Sequence, residues 1–278
     1  MKDCIAVLLA TYNSELFVRA QIDSIIKQTY QDWILYIRDD CSKDTTPLIL
    51  NEYQELYPGK IIVLDNEKKS FRAYLNFIEL LKKVDSRYYM FCDHDDIWVE
   101  SKIESSIAKM KELETRYSDR PIVVHTDMYV VDNEMNVLAD SFWKYSRFMP
   151  DHVTFAELVL CNSVNGCTML FNDKAKQVSI CNVQYGRMHD TLVAQSVAAN
   201  NGIIVGIPEK TVYYRQHGCN VIGAKEVGIS TYLNKFKNIK KVYKKNVETY
   251  HMANGIARLP LFFFIYTKIK VIFLKLIR

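Results

Sequence analysis

Along the first 130 residues, apolar positions fall into short unbroken runs separated by longer segments in which they recur every three or four places. Ile5–Ala10 is apolar throughout, and so is Tyr88–Cys92; such runs predict strands buried on both faces. Trp33–Arg38, Ile61–Leu64 and Ile122–His125 read as further strands. Leu16–Gln28, Thr46–Tyr57, Ala73–Lys83 and Lys102–Tyr117 carry helical spacing. Ser14 is the expected N-cap of the first helix, and Pro47 falls in the first turn of the second, where a missing N–H is harmless. The βαβα rhythm predicts an α/β fold with a mostly parallel sheet covered by helices on both faces.

From about residue 130 the pattern becomes irregular. Met128–Val131 and Asn136–Leu138 predict a hairpin around Asp132-Asn133-Glu134. Thr168–Phe171, Ile203–Val205 and Thr211–Tyr214 read as strands and Asp190–Ala199 as a helix, with no repeat, low-complexity segment or clear linker before about 222. Two halves, about 1–130 and 131–224, are therefore expected in one domain spanning 1–224, followed by a tail at 225–278.

In open α/β sheets, ligands bind beyond the carboxyl ends of the strands. Those ends carry Thr11-Tyr12-Asn13, Asp39-Asp40, Asp93-His94-Asp95-Asp96 and Thr126-Asp127. One acidic loop tip is ordinary solvation; repeated acids at one edge point to a site. Three carboxylates within "FCDHDDIW" repel one another unless a hard divalent cation such as Mg²⁺ or Mn²⁺ sits among them. Such ions complete their shell with phosphate oxygens and water, so the ligand expected is a diphosphate. The bland alternative is an Asp-rich helix start that complements the macrodipole. No G-x-G-x-x-G follows the first strand and no P-loop is present; a phosphatase of the haloacid-dehalogenase type needs its D-x-D after the first strand, and here it follows the fourth.

The net charge of +4 hides an asymmetry: residues 1–224 carry 24 Lys and Arg against 30 acids, and residues 225–278 carry 12 against 2. Seven scattered cysteines without a C-x-x-C pair predict reduced thiols, mostly core fillers, in a cytoplasm, and argue against structural zinc. The apolar run at Ile5–Ala10 is too short for a signal peptide.

The opening "LLATYNSELFVRAQIDSIIKQTYQDWILYIRDDCSKDTT" resembles that of the family 2 inverting glycosyltransferases, and "FCDHDDIW" resembles their D-Q-D-D-I-W variant. "SFWKY", "NGCTMLFN", "MHDTLVA" and "YYRQHGCNVIGA" follow in matching order, in the manner of the rhamnosyltransferase-type branch of bacterial surface-polysaccharide assembly. The resemblance covers about residues 4–224 and implies the GT-A nucleotide-diphospho-sugar transferase fold with metal-dependent, inverting hexosyl transfer. It implies that Thr11, Tyr12, Asn13, Asp39, Arg72 and Asp93 bind the donor nucleotide, with Tyr12 at the base pocket, Asp39 accepting from the base N–H and Asp93 at the ribose or the metal. Asp95 and His217 would hold Mn²⁺ or Mg²⁺, Asp190 would be the general base, and Gly166, Cys167, Thr168 and Trp143 would form the acceptor side. Ser70-Phe71-Arg72 departs from the Gly-rich turn that relatives often place before N-F, and His94 stands where Gln is commoner. The implied donor is dTDP-L-rhamnose, with a UDP-hexose next, and the acceptor a growing glycan on a polyprenyl carrier.

Other readings stay open on the residues alone. Asp190 can be a plain N-cap, His189-Asp190 can belong to a metal phosphohydrolase, Trp143 can be core, and the whole fold can serve as a non-catalytic glycan- or nucleotide-binding scaffold. In the tail, "YLNKFKNIKKVYKKN" places six lysines in eleven positions, with Tyr232, Phe236, Ile239 and Tyr243 at helical spacing. "LPLFFFIYTKIKVIFLKLIR" is broken by Lys268, Lys270 and Lys275, which suits an interfacial helix with snorkelling lysines better than a spanning one. A peripheral position on the anionic inner face of the cell membrane is expected; the alternative is packing onto the domain or into a dimer, and nucleic acid is disfavoured for want of an aromatic stacking platform.

Overall fold

The computed structural model describes residues 4–65, 72–217 and 239–277. Strands β1 (Ile5–Thr11), β2 (Trp33–Asp39), β3 (Ile61–Val63) and β4 (Tyr88–Cys92) alternate with helices α1 (Val18–Ile26), α2 (Thr46–Leu56) and α3 (Ala73–Lys83). These four strands pair in parallel, so their carboxyl ends share one edge. β1 shows why the run is unbroken: Ile5, Val7 and Leu9 enter the core on one face of the sheet, Ala6, Leu8 and Ala10 the core on the other.

The sequence continues through β5 (Ile97–Trp98), α4 (Lys102–Arg116), β6 (Ile122–Val131), β7 (Val137–Ala139), α5 (Phe142–Tyr145), α6 (Phe155–Leu160), β8 (Met169–Asn172), α7 (Asp173–Ile180), α8 (His189–Ala199) and β9 (Ile203–Arg215). The sheet is mixed and flanked by helices: β8 inserts antiparallel between β4 and β6, β9 runs parallel to β6, and β5 pairs antiparallel with the far end of β9. Two expected strand pairs are single long strands. β6 and β9 run through the gaps expected at 126–127 and 206–210, accommodated by register shifts around Asp127.

Several local expectations change. Phe17, not Ser14, holds the N-cap position of α1; the Ser14 carbonyl instead accepts the Phe17 and Val18 N–H groups. Asp190 lies in the first turn of α8, whose N-cap is Met188, so the plain N-cap reading does not hold. Asp127 is not at a strand end: it is buried within β6 and accepts from the Met128 and Trp143 N–H groups and the Ser141 hydroxyl, which fixes the start of α5. The six described cysteines are free, but only Cys92 and Cys167 are buried.

The tail forms α9 (Ile239–Ile256) and α10 (Leu261–Ile277); Tyr232 and Phe236 lie outside the described residues. Ala253, Leu259 and Phe264 join Val159 of α6 in a third apolar cluster, so the tail helices pack on the domain. The lysines do not snorkel outward as expected. Lys270 reaches Glu157 of α6 at 2.8 Å, and the Lys275 ammonium lies 5.0 Å from the centre of the Phe148 ring. Among the described residues, no helix is long and apolar enough to cross a membrane.

Candidate active site

Parallel pairing sets Thr11 opposite Asp39, and the Thr11 hydroxyl donates to Asp39 Oδ1 at 2.9 Å. Ser42 adds its hydroxyl to the same oxygen at 2.5 Å and its N–H to Oδ2 at 2.8 Å. The Asn13 N–H donates to Ser42 Oγ, and Asn13 Oδ1 accepts the Lys43 N–H. Asn13 and Cys41 adopt left-handed conformations (φ 47° and 61°) that turn the two loops toward each other. Tyr12 projects from this seam with 43% of its surface exposed.

Beneath the loops lies a connection that the sequence did not disclose. The buried Asn76 side chain takes the Arg38 guanidinium at 2.6 Å and donates to the Thr11 and Arg38 carbonyls. The next residue, Phe77, stacks on His189 with ring centroids 3.8 Å apart. The Asn-Phe pair thus couples the ends of β1 and β2 to the first turn of α8. Arg72 is exposed at the N-cap position of α3, and the departure at Ser70-Phe71 lies outside the described residues.

The acid loop follows β4. Burial, then Asp95 and Asp190 as like-charged neighbours, push the Asp93 carboxyl up to about 8. Asp96 points inward; burial and the same crowding raise it well above the carboxylate range, while the Arg215 N–H reaches its Oδ1 at 3.2 Å. Among the described residues its Oδ2 has no nitrogen or oxygen partner, and the Cys167 thiol lies beside the carboxyl. Asp95 faces the other way, and its Oδ2 lies 2.7 Å from His217 Nε2, a contact that spans 122 positions of sequence. β9 delivers it, because β5 pairs with β9 beside the acid loop and His217 follows two residues after the end of β9. Phe17 stacks on the His217 ring at 4.9 Å, and Arg215 holds the Asp95 carbonyl at 3.0 Å. His94 Nδ1 sits 3.3 Å from the Ala10 carbonyl, a polar neighbour and not part of the cluster.

Among the described residues, one group of three candidate ligands converges. Oxygens of Asp93 and Asp96 and the sulfur of Cys167 lie within 4.8 Å of one another. Burial and the two acids push the Cys167 thiol well up, and a sulfur donor suits a softer ion than Mg²⁺ or Mn²⁺. Beside this group, Asp95 and the His217 imidazole form a two-residue pair of oxygen and nitrogen donors that suits a hard or borderline ion, and a cation near these acids would ease the crowding that adds to burial in raising Asp93. The residues fit Mn²⁺ or Mg²⁺.

Asp190 is held by the Thr191 N–H at 2.5 Å and the Gly166 N–H, yet burial outweighs these bonds and raises its carboxyl. Gly166 is required by space, since a Cβ there would meet His189 Nε2 at 2.4 Å. Cys167 and Thr168, expected on the acceptor side, are 2% and 1% exposed, and the Thr168 hydroxyl donates to the Asn165 carbonyl at 2.8 Å. The Cys167 sulfur lies beside the oxygens of Asp93 and Asp96. Trp143, expected on the acceptor side, packs edge-on against His125 at 5.4 Å, lies beside Gly206 and is half-buried against the core. Lys102 is also unforeseen. It is fully buried, 4.8 Å from the centre of the Trp98 ring, and burial holds its ammonium down at about 8.

An acid cluster and a separate raised carboxylate thus lie on the edge where open α/β sheets bind their ligands. The sequence profile of glycosyl transferase family 2 matches residues 6–176, and the chain belongs to that family. It is 29% identical over 260 residues to the dTDP-rhamnosyl transferase RfbG of Shigella flexneri, covering 90% of this chain and 84% of that protein. Over 106 residues, 38% of this chain and 40% of the other, it is 34% identical to the UDP-Glc:alpha-D-GlcNAc-diphosphoundecaprenol beta-1,3-glucosyltransferase WfgD of Escherichia coli. Among solved structures, S. aureus TarS 1-349 in complex with UDP-GlcNAc superposes with a TM-score of 0.59 at 17% identity, over 90% of this chain and 72% of that one. Mannosyltransferase PcManGT from Pyrobaculum calidifontis, in complex with GDP-Man and Mn2+, superposes at 0.54 and 12%, over 95% and 68%. At these identities the structures show the fold alone.

Proposed function

We propose that this chain is a metal-dependent, inverting glycosyltransferase that moves L-rhamnose from dTDP-L-rhamnose to a hydroxyl of a growing surface glycan on a polyprenyl carrier, at the inner face of the cell membrane. The observation that carries the reading is the convergence of Asp93 with both Asp95 and Asp190, which sets a cation-seeking acid loop beside a candidate base. The likeness to RfbG over most of both chains supports the rhamnosyl donor, and the diphosphoundecaprenol in the name of WfgD supports the class of acceptor. The catalytic unit is 1–224, with nucleotide-binding and acceptor-binding halves, and 225–278 serves the membrane.

Asp39, fixed by Thr11 and Ser42, accepts from the N–H of a thymine or uracil ring, and Tyr12 lies against the base. Arg72 and Asn13 line the same side. Asp95 and His217 would hold the divalent ion, with Asp93 turned toward it. When bound, Mn²⁺ or Mg²⁺ there neutralises charge that develops on the departing diphosphate. Asp190 accepts the proton of the acceptor hydroxyl as its oxygen bonds to the anomeric carbon and the carbon–diphosphate bond breaks. Its raised carboxyl makes it a stronger base than an exposed aspartate, and the Thr191 and Gly166 N–H groups keep it aimed. Attack opposite the leaving group inverts the anomeric centre.

Release of nucleoside diphosphate from dTDP-L-rhamnose, UDP-glucose and UDP-GlcNAc, measured with Mn²⁺ and with chelator, tests the reading. The expected result is chelator-sensitive turnover, fastest with dTDP-L-rhamnose and lost in Asp95→Ala. Absence of turnover with every donor would leave a binding scaffold, and phosphate release from simple esters a phosphohydrolase.

A further inference from the structure

The outward side of α10 is apolar along its whole length. Phe262, Tyr266, Ile269, Phe273 and Leu276 recur at steps of four and three residues and are 74%, 58%, 65%, 60% and 48% exposed. Phe264, Thr267 and Val271 occupy the opposite side and are buried. Of the three lysines of α10, Lys270 bonds Glu157 and Lys275 covers Phe148, both contacts made with the domain, and Lys268 is half-buried; none of them belongs to the outward stripe of five residues. A folded chain seldom leaves so continuous an apolar face in water without a partner.

Two occupants match a stripe of this spacing: the same helix of a second copy, and the acyl boundary of a bilayer. Charge decides between them. From 239 to 277, eight lysines and arginines stand against one acid, Glu248, and Lys240, Lys244 and Lys245 of α9 are exposed. A second copy would bring like charge to like charge, whereas anionic headgroups complement it. The helix has 17 residues and is too short and too interrupted to cross a membrane, so it would lie flat.

We propose that the outward stripe of α10 is a docking surface for an anionic lipid bilayer, with the exposed lysines of α9 as its electrostatic flank. The proposal deepens the reading above, on which it rests for the lipid-borne acceptor. It also gives that acceptor a side of approach. α10 packs on α6, and Asn162, just beyond the end of α6, donates to Thr191 Oγ1 at 3.2 Å, one residue from Asp190. The membrane-facing helix is therefore joined through one short helix to the candidate base.

The full chain and a Phe262→Ser, Ile269→Ser, Phe273→Ser variant are floated with vesicles of phosphatidylethanolamine and phosphatidylglycerol, and with phosphatidylcholine vesicles. All three positions are exposed, so the fold is expected to survive, with thermal melting and lipid-free donor hydrolysis as controls. The parent is expected to bind the anionic vesicles and the variant to bind them at least about tenfold less. Lys240→Glu, Lys244→Glu, Lys245→Glu is expected to abolish the preference for anionic over zwitterionic vesicles. The proposal is overturned if the parent fails to bind, if the serine variant binds like the parent, or if the serine changes convert a dimer to a monomer without altering vesicle binding. Vesicle binding needs no donor, so its failure is separable from failure of sugar transfer.

Discussion

Glu157 is the point at which the tail is fastened to the domain, and its removal has a magnitude that the structure supplies. Its side chain is 7% exposed and receives Lys270 Nζ at 2.8 Å, the Thr154 hydroxyl at 2.6 Å and His152 Nδ1 at 2.9 Å. Burial alone pushes the carboxyl up, but these bonds together outweigh it and hold the group at about 2, against an ordinary value of 4.5. At about 1.4 kcal/mol per pH unit the depression converts to about 3 kcal/mol. Lys270 is 42% exposed, so solvent screening trims the expected loss in Glu157→Gln to about 2–3 kcal/mol. The folded-state value lies below the unfolded one, so the contribution is complete above pH 4.5 and disappears as pH falls toward 2. Urea unfolding of parent and variant, followed from about pH 7 to about pH 2, reads this directly. The stability gap should be widest at neutral pH and close across the acid window. A gap that keeps its size at every pH, or no gap at neutrality, refutes the reasoning.

Three further outcomes follow from the site. Asp190→Asn should lower turnover about 10²–10⁴-fold while donor affinity, read by calorimetry, changes little; in the parent, activity should fall on the acid side with an apparent pKa above that of an exposed aspartate. Gly166→Ala should cost about 1–3 kcal/mol in thermal or urea unfolding, because its methyl group meets the buried His189 ring, and should slow turnover by shifting Asp190. Asn76→Ala should cost about 1–3 kcal/mol and raise the KM for the donor, since Arg38 loses its 2.6 Å acceptor and the Thr11 loop its support.

Much of the scaffold was legible because its signals are local. The unbroken apolar runs of β1 and β4 can be buried on both faces only in an α/β sheet, and the residues after them then fall on the ligand edge. The pairing of Thr11 with Asp39 follows from that register. What stayed hidden depends on distance in sequence or on burial. Asp127 looks like Asp93 in one dimension, but β6 runs through it, and its carboxylate caps α5. Helices α5 and α6, of four and six residues, are too short for a periodic signal. Lys102 at the start of a polar helix reads as solvated, yet it is fully buried beside Trp98. The Asn76-Phe77 pair had only its spacing from Arg72 to mark it, and its bonds to Arg38 and stacking on His189 emerge from packing. The lysines of α10 read as membrane-seeking because composition does not tell which side of a helix is covered.

The delivery of His217 by β9 has a consequence for synthesis. Asp93 to Asp96 emerge early, but the Arg215 N–H, the Arg215 guanidinium and the imidazole that meet them arrive about 120 residues later. A nascent chain that lacks its ninth strand carries the acids without the groups that orient them, and contacts of such long range are slow to close. The acid loop and the groups that orient it thus form one arrangement only once the sheet is complete.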